Sequence, residues 1–161
     1  MSFEIERRFL VCQDVRHFCR HGDRIVQGYI SFNDGNGSQK ARIRIRNDQA
    51  FLTIKGERRG LVRPEFERVV SLSWATGLLS RLPPDTLIRK TRYEVEHADM
   101  TWEIDVFNGR NSGLVVAEVE LEHADQQIEL PHWVGAEVTF DERYGNSSLS
   151  VRPVSTWPAA A

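Results

Sequence analysis

The chain is poor in the residues that most protein metal and redox sites use. It has two cysteines, Cys12 and Cys19, and five histidines among its 161 residues. The cysteines lack the CxxC spacing and the additional thiols that a zinc or redox site needs, so two free thiols in a reducing cytoplasm are expected. The histidines are scattered along the chain, and a histidine metal site is not expected.

Long apolar runs and a strong net charge are also missing. No run approaches the roughly 18 apolar residues of a membrane-spanning helix. The N-terminus is charged from Glu4 onwards, so we expect no signal peptide and predict a cytoplasmic location. The formal net charge is -2, which gives no overall field towards nucleic acid or anionic lipid. We therefore expect no nucleic-acid partner and no membrane association.

The length and the composition fit a single soluble domain. The hydrophobic fraction is 40% and the charged fraction is 27%, both ordinary for a globular protein. No internal repeat or linker divides the chain. We predict one domain over residues 1–152, followed by a flexible tail rich in proline and alanine over residues 153–161.

Short segments of alternating polarity dominate the chain, and turn residues separate them. This pattern predicts strands joined mostly by hairpins. The predicted strands cover residues 3–11, 24–32, 41–46, 51–55, 65–72, 87–95, 101–107, 114–121 and 137–140. Short helices are predicted over residues 15–21, over 74–81 with Ser73 as the cap, within 123–131, and as single turns over 141–144 and 146–151. The fold class is mainly β (α+β), an antiparallel sheet curled into a closed barrel.

The first predicted strand has two different faces. With a period of two, its apolar side chains share one face while Glu4, Glu6 and Arg8 share the other. The same spacing of like charges recurs on later strands. These pairs are Arg42/Arg44, Glu65/Glu67, Lys90/Arg92, Glu103/Asp105 and Glu118/Glu120, and Lys55 ends the fourth strand. Arg7 and Arg46 are expected to point away from this charged face.

Two interpretations of these charged faces are open. An ordinary antiparallel sheet with one wet face also alternates, with opposite charges paired across strands. These faces, however, separate acids from bases by strand. If they point inwards, like charges about 4 Å apart repel by about 4 kcal/mol at an effective dielectric of about 20. Such an interior needs counter-ions, a hard cation such as Mg²⁺ or Mn²⁺ for the carboxylates and a chain of phosphates for the bases.

At these residues the chain resembles the triphosphate tunnel metalloenzymes, also called the CYTH family. Their N-terminal strand reads Glu-x-Glu-x-Lys, here Glu4-Ile5-Glu6-Arg7-Arg8, with arginine in the last position. The other matching motifs, in chain order, are Gln27-Gly28-Tyr29, the Arg42/Arg44 strand, Thr53-Ile54-Lys55-Gly56, Glu65-Phe66-Glu67, Lys90-Thr91-Arg92-Tyr93, residues 102–107, residues 117–121, residues 137–139, and Arg143-Tyr144 with Asn146. The resemblance implies an eight-stranded antiparallel tunnel with helices outside, which binds a triphosphate together with Mg²⁺ or Mn²⁺.

The resemblance also implies a role for each matching residue. Metal ligands would be Glu4, Glu6, Glu118 and Glu120, with Asp105 in support. The phosphates would be held by Arg8, Arg42, Arg44, Lys55, Lys90 and Arg92. The catalytic set would be Tyr29, Lys55, Glu65 and Glu67, in which the two glutamates serve a second metal or orient the attacking water.

The function predicted from these residues is metal-dependent hydrolysis of a triphosphate, inorganic tripolyphosphate first, to diphosphate and phosphate. Among the family, the short bacterial inorganic triphosphatases are most similar. The alternatives are a class IV-type adenylate cyclase and a non-catalytic polyphosphate- or nucleotide-binding module, which the change to Arg8 keeps open. A barrel that binds RNA or DNA is disfavoured by the net charge and by the acids on the same face. A monomer or homodimer is expected.

Overall fold

A computed structural model describes residues 2–17, 19–33, 35 and 38–158. The strands of this part are β1 (Ser2–Val11), β2 (Gly22–Asn33), β3 (Ser38–Arg46), β4 (Gln49–Lys55), β5 (Val62–Val70), β6 (Ile88–His97), β7 (Met100–Phe107), β8 (Val115–Glu120) and β9 (Val134–Glu137). The α-helices are α1 (Leu72–Leu79) and α2 (Asn146–Val151), and short 3₁₀ turns cover Pro84–Thr86, Gly109–Asn111, Glu142–Tyr144 and Val154–Thr156. Among the described residues, no helix has the length and apolar character needed to cross a bilayer.

Eight of the strands close into a ring. The hydrogen-bonded order is β5-β4-β3-β2-β6-β7-β8-β1, and β1 also pairs with β5, with every pair antiparallel. β1 closes the ring because residues 2–5 pair with residues 62–65 of β5, while residues 6–10 pair with residues 116–120 of β8. The predicted eight-stranded antiparallel tunnel is confirmed. The short strand β9 adds to the later part of β1 as a ninth member of the sheet.

Helix α1 covers the outer face of β3 and β4. The Oγ of Ser71 accepts a hydrogen bond from the Trp74 N–H at 3.1 Å and so caps the helix. Ala75 and Leu79 are buried against the outward side chains of the sheet, among them Ile43. The helix therefore begins two residues earlier than predicted, with Ser71 rather than Ser73 as the cap, because β5 ends at residue 70 and frees the earlier serine.

Strand β2 passes close beneath the end of this helix at Gly28. A Cβ at this position would lie 2.4 Å from Leu82 Cδ1 and 3.0 Å from Leu79 Cδ2. A side chain here would force the side chains of Leu82 and Leu79 to shift. Gly28 therefore serves the packing of α1, while its neighbours on β2 face the interior.

A second apolar cluster covers the outside of β1, β7 and β8. Trp102 is fully buried, and its ring lies 5.6 Å from the rings of both Phe9 and Trp133. Val15 and Leu121 join the cluster from the segments that leave β1 and β8. The apolar faces of β7, β8 and the later part of β1 thus point outwards into a covered layer, which leaves their charged faces for the interior.

One end of the ring interior is filled by apolar side chains. Ile88, Phe107 and Val116 share the inward-facing parity of their strands and are almost fully buried with Leu149 of α2. Trp157 also packs on this cluster, and its ring contacts that of Tyr144 at 5.2 Å. Helix α2 and the residues after it therefore close this end of the tunnel.

Several local predictions need correction. The described residues of segment 15–21 form a turn rather than a helix, because Arg16 folds back onto the Asp14 carboxylate and Val15 is buried in the core. Segment 123–131 also contains a turn without a helix, and the last strand is residues 134–137 rather than 137–140. The single turns predicted over residues 141–144 and 146–151 are confirmed.

The residues predicted to form a flexible tail are in part packed. The Val154 N–H donates to the Oδ1 of buried Asn111 at 2.9 Å, and the Trp157 indole N–H donates to the Arg152 carbonyl at 3.0 Å. Residues 159–161 of the predicted tail, like residue 18 of the predicted helix and residues 34, 36 and 37 of the predicted turn, lie outside the described residues.

Candidate active site

The interior of the ring is lined by ion pairs between neighbouring strands. Alternation along each strand turns the charged face inwards, and the outer face is taken by the apolar clusters. The inward set comprises Glu4, Glu6, Arg8, Arg42, Arg44, Lys55, Glu65, Glu67, Lys90, Arg92, Glu103, Asp105, Glu118 and Glu120. Exposure decides between the two interpretations of the alternation: Lys90 and Glu118 are only 2% and 8% exposed. The charged faces therefore meet inside the molecule.

Asp105 holds two cations at the centre of this interior. Its carboxylate accepts hydrogen bonds from Arg92 Nε and Nη2, each at 2.7 Å, and pairs with the Lys90 ammonium. Burial lowers the pKa of Lys90 to about 8, although the Asp105 charge opposes this shift. The Asn146 side chain of α2 accepts a further bond from Lys90 Nζ at 3.1 Å. Lys90 and Arg92 are thus fixed by a buried carboxylate that keeps them charged.

Arg8 bridges two of the predicted metal ligands. Its Nε donates to Glu118 Oε1 at 2.7 Å and its Nη2 donates to Glu6 Oε1 at 2.9 Å. Arg92 Nη2 reaches the other oxygen of Glu118 at 2.9 Å. Burial, followed by the charge of Glu118, raises the pKa of Glu6 to about 7. The arginine therefore compensates two crowded carboxylates that would otherwise repel each other.

A basic wall lies on β3. Arg44 Nε donates to Gln27 Oε1 at 3.1 Å, and Gln27 Nε2 donates to the Tyr29 hydroxyl at 2.8 Å. Among the described residues Arg44 has no ion-pair partner, and burial together with the Arg42 charge lowers its pKa to about 10. The Nε of Arg42 is buried without a hydrogen-bond partner. This wall carries more positive charge than its neighbours neutralise, which suits a bound anion.

The other side of the wall is better compensated. Arg42 Nη2 donates to Thr53 Oγ1 at 3.0 Å and to Glu67 Oε2 at 3.1 Å, and the Thr53 hydroxyl donates to the same glutamate oxygen at 2.6 Å. Lys55 Nζ contacts the Glu4 carboxylate oxygens at 2.6 and 2.5 Å and Glu65 Oε2 at 2.9 Å. Glu65 and Glu67 therefore stand beside the basic residues of β3 and β4.

The end of the tunnel opposite the apolar cluster is acidic. A cavity of about 420 Å³ opens there. Its carboxylate-bearing lining residues are Glu4, Glu6, Glu94, Asp99, Glu103, Glu118, Glu120 and Glu122. Burial and the nearby charges of Glu4, Glu103 and Glu65 raise the pKa of Glu120. Carboxylates that raise one another's pKa are deficient in positive charge, and a cation would relieve them.

The donor chemistry at this end fits a hard divalent cation. The candidate ligands Glu4, Glu6, Glu118 and Glu120 offer carboxylate oxygens, which Mg²⁺ and Mn²⁺ prefer. Within the described ranges, no three Asp, Glu, His or Cys side chains are already gathered in a metal-binding arrangement. Lys55 holds Glu4, and Arg8 holds Glu6 and Glu118. Metal binding would therefore require these ion pairs to open.

Some predicted placements differ from the structure. Arg46 shares the inward face with Arg42 and Arg44 and bonds to Asp23 at 2.5 Å and Glu94 at 2.7 Å, so the expectation that it points away is wrong. Arg46 lies two residues after Arg44 on the same strand, and side chains two residues apart point to the same face. Arg7 does lie outside, paired with Glu137. Tyr29 and Lys55, on strands separated by β3, make their polar contacts with different groups.

Sequence reasoning assigned no role to several residues that shape the interior. Gln27 and Thr53 are buried and connect the basic wall to Tyr29 and to Glu67. Arg58 reaches Glu6 at 3.2 Å from the loop before β5. Arg63 shares the face of the β5 glutamates, and its position two residues before Glu65 was the available signal. The following Pro64 made this segment look like a loop.

Comparison with known proteins gives a consistent set of matches. The CYTH domain model matches residues 2–154. An inorganic triphosphatase from Acetivibrio thermocellus is 39% identical over 153 residues, which cover 95% of this chain and 96% of that protein. An inorganic triphosphatase from Nitrosomonas europaea is 35% identical over 151 residues, covering 92% of this chain and 97% of that protein.

Solved structures agree with the sequence matches. The crystal structure of an inorganic triphosphatase is 32% identical and has a TM-score of 0.66, with 94% of this chain and 96% of that chain covered. Two matching structures whose descriptions mention an adenylate or adenylyl cyclase are 16% and 13% identical. At that distance they show a shared fold alone.

Proposed function

The chain belongs to the CYTH domain family, and from this premise we propose that it is a metal-dependent inorganic triphosphatase. Its reaction is the hydrolysis of tripolyphosphate to diphosphate and phosphate. The observation that carries the proposal is the buried basic wall of Arg42 and Arg44, which faces the ring interior next to a carboxylate-lined cavity. One interior thus offers an anion site and donors for a cation, which together suit a metal-bound phosphate chain.

The basic residues bind and orient the phosphate chain in this proposal. Arg42 and Arg44 come from β3, Arg8 from β1, Lys55 from β4, and Lys90 and Arg92 from β6. Guanidinium groups hold phosphate oxygens through paired hydrogen bonds, and their charge stabilises the diphosphate that leaves. Asp105 acts through Lys90 and Arg92, which it keeps charged and in place.

The acidic residues divide into two roles. Glu4, Glu6, Glu118 and Glu120 would hold Mg²⁺ or Mn²⁺, which when bound supplies positive charge to the phosphate oxygens. Glu65 or Glu67 orients a water molecule towards the terminal phosphorus and takes up its proton. The new bond joins the water oxygen to that phosphorus, and the bond that breaks joins the same phosphorus to the bridging oxygen, which leaves with diphosphate.

Tyr29 and Lys55 complete the proposed catalytic set. The Tyr29 hydroxyl is oriented by the bond from Gln27, close to the basic wall. Lys55 is paired with Glu4 and Glu65, so it can exchange a carboxylate for a phosphate oxygen. We place both residues beside the phosphoanhydride bond that is cut, at the terminal end of the phosphate chain. The cytoplasmic location and the monomer or homodimer state stay predictions.

Hydrolysis by purified protein tests the proposal. Phosphate release from tripolyphosphate is measured with Mg²⁺ or Mn²⁺ for the wild type, Arg44→Gln and Arg110→Gln. Arg44 is buried at the basic wall, whereas Arg110 forms an exposed pair with Asp85 and serves as the matched control. We expect activity to fall at least 100-fold in Arg44→Gln and to stay within twofold in Arg110→Gln. Equal activity in all three proteins would reject the basic wall as the substrate site, and no phosphate release by the wild type would reject the function.

A parallel screen separates the remaining activities. ATP is assayed for cyclic AMP and for free phosphate, and thiamine triphosphate for phosphate. We expect tripolyphosphate to be the preferred substrate. Cyclic AMP as the main product would make the protein a cyclase, and tight binding of tripolyphosphate without turnover would make it a binding module.

A further inference from the structure

Two arginines outside the predicted site face the acidic end of the tunnel. Arg58 lies in the loop between β4 and β5, and Arg63 is the second residue of β5. Arg63 is paired across the strands with Glu4 and shares the inward face with Glu65. Its Nε donates to the Gly56 carbonyl at 2.9 Å, so it anchors the loop that carries Arg58. The Arg63 side chain is therefore tied to the loop that carries Arg58.

Their positive charge is only partly neutralised. Arg58 Nη2 contacts Glu6 Oε1 at 3.2 Å, while its Nη1 is buried without a hydrogen-bond partner. Arg63 makes no ion pair with any residue that the structure describes. Burial, followed by the charge of Arg58, lowers the pKa of Arg63.

Neutralisation of Glu6 does not explain this arrangement. Arg8 already donates to the same Glu6 oxygen at 2.9 Å, a shorter contact than that of Arg58. Arg63 serves no carboxylate, although the charges of Glu4, Glu6 and Glu65 are near enough to influence it. Two adjacent guanidinium groups with free N–H donors are instead the usual means of binding a phosphate group.

We propose that Arg58 and Arg63 form an additional phosphate-binding subsite at the acidic, open end of the tunnel. The subsite deepens the proposed function and rests on it. Its ligand is a phosphate group, either the outermost phosphate of the bound chain or the orthophosphate released by hydrolysis. When a phosphate binds, Arg58 exchanges the Glu6 oxygen for a phosphate oxygen, and Glu6 becomes free for other ligands.

Calorimetric titration of tripolyphosphate in EDTA tests the subsite without turnover. Arg58→Gln is compared with Arg59→Gln, which removes the same charge from the same loop at an exposed position. We expect the dissociation constant to rise about tenfold or more in Arg58→Gln, since a hydrogen bond to a charged group is lost. It should change less than twofold in Arg59→Gln. Equal affinities of the two variants for both tripolyphosphate and orthophosphate would overturn the subsite.

A merely structural role for Arg58 is tested with Arg58→Lys and thermal unfolding. Lysine keeps the charge and the pair with Glu6 but lacks the planar fork, so tripolyphosphate affinity should stay reduced about threefold or more while the unfolding temperature matches the wild type. Full recovery of affinity by lysine would overturn a site built on the guanidinium fork.

Orthophosphate titration identifies the source of the bound phosphate. If Arg58→Gln loses orthophosphate binding but keeps tripolyphosphate binding, the subsite holds the released product; if it weakens tripolyphosphate binding, the subsite holds the chain. The proposed function fails separately, when the wild type itself neither binds nor hydrolyses tripolyphosphate.

Discussion

Asp105→Asn removes the negative charge that holds two buried cations. Asp105 is 1% exposed and accepts bonds from Lys90 and Arg92, which are 2% and 6% exposed. Removal of one partner from a buried ion pair costs about 3–5 kcal/mol, because the remaining charges stay buried and uncompensated. That loss is a large fraction of the roughly 5–15 kcal/mol by which a domain of this kind is stable.

Urea unfolding measures this cost, with Asp85→Asn as the control. Both variants remove one carboxylate charge with almost no change in shape, but the Asp85 pair with Arg110 is exposed at 64% and 45% of the two side chains. An exposed pair contributes about 0–1 kcal/mol. With a slope of about 2 kcal/mol per molar urea, the midpoint should fall by roughly 1.5–2.5 M in Asp105→Asn and by less than about 0.5 M in the control.

The pH dependence sharpens the same prediction. Burial lowers the pKa of Lys90 to about 8 from its ordinary value of 10.5, and loss of the Asp105 charge lowers it further. Above the native pKa, the folded Lys90 is neutral while the unfolded one still binds a proton, so folding gains stability as the pH rises. The deficit of Asp105→Asn should therefore be smaller at about pH 9 than at about pH 6. Deficits that equal the Asp85→Asn value at both pH values would refute the reasoning.

Three further predictions concern the acidic end and the outer packing. Without metal, native Glu6 has a pKa of about 7, so above about pH 4.5 it holds a proton that the unfolded state has lost. In urea unfolding, the stability of Glu6→Gln relative to wild type should therefore rise as the pH increases from about 5 to 8. A difference that does not change with pH would contradict this. Mg²⁺ at about 100 times its dissociation constant should add about 2.7 kcal/mol to wild-type stability in thermal unfolding and far less to a Glu4→Gln/Glu118→Gln double variant; equal gains would exclude these ligands. Gly28→Ala should lose about 1–3 kcal/mol to the contact with Leu82 while KM for tripolyphosphate is unchanged; a raised KM would show that Gly28 serves the interior.

Alternation of charge carried most of the fold prediction. A strand has only two faces, so Arg42 and Arg44 on one face and apolar residues on the other decide which side meets solvent or core. The edge strands of an open sheet leave backbone N–H and C=O groups unpaired. Eight such strands joined by short turns can pair these groups most simply by closing into a ring. The Arg46 prediction was wrong although the same rule places that residue inwards.

The contacts inside the tunnel could not be predicted from spacing alone. The pairing of Arg8 with Glu118, 110 positions further along the chain, depends on β1 and β8 being neighbours in the sheet. Arg58 lies in a loop, where no period applies, and its contact with Glu6 follows from the anchoring of that loop by Arg63. The helix predicted over residues 15–21 does not form, because burial of Val15 in the core outweighs the weak helix propensity of this segment.

Leu149 and its apolar neighbours close one end of the ring, so the tunnel opens to solvent at the other end only. The substrate then enters, and the diphosphate and phosphate leave, through the same acidic opening. The products must therefore dissociate before the next substrate molecule binds. We therefore expect a longer polyphosphate to enter end first and to lose phosphate from that end.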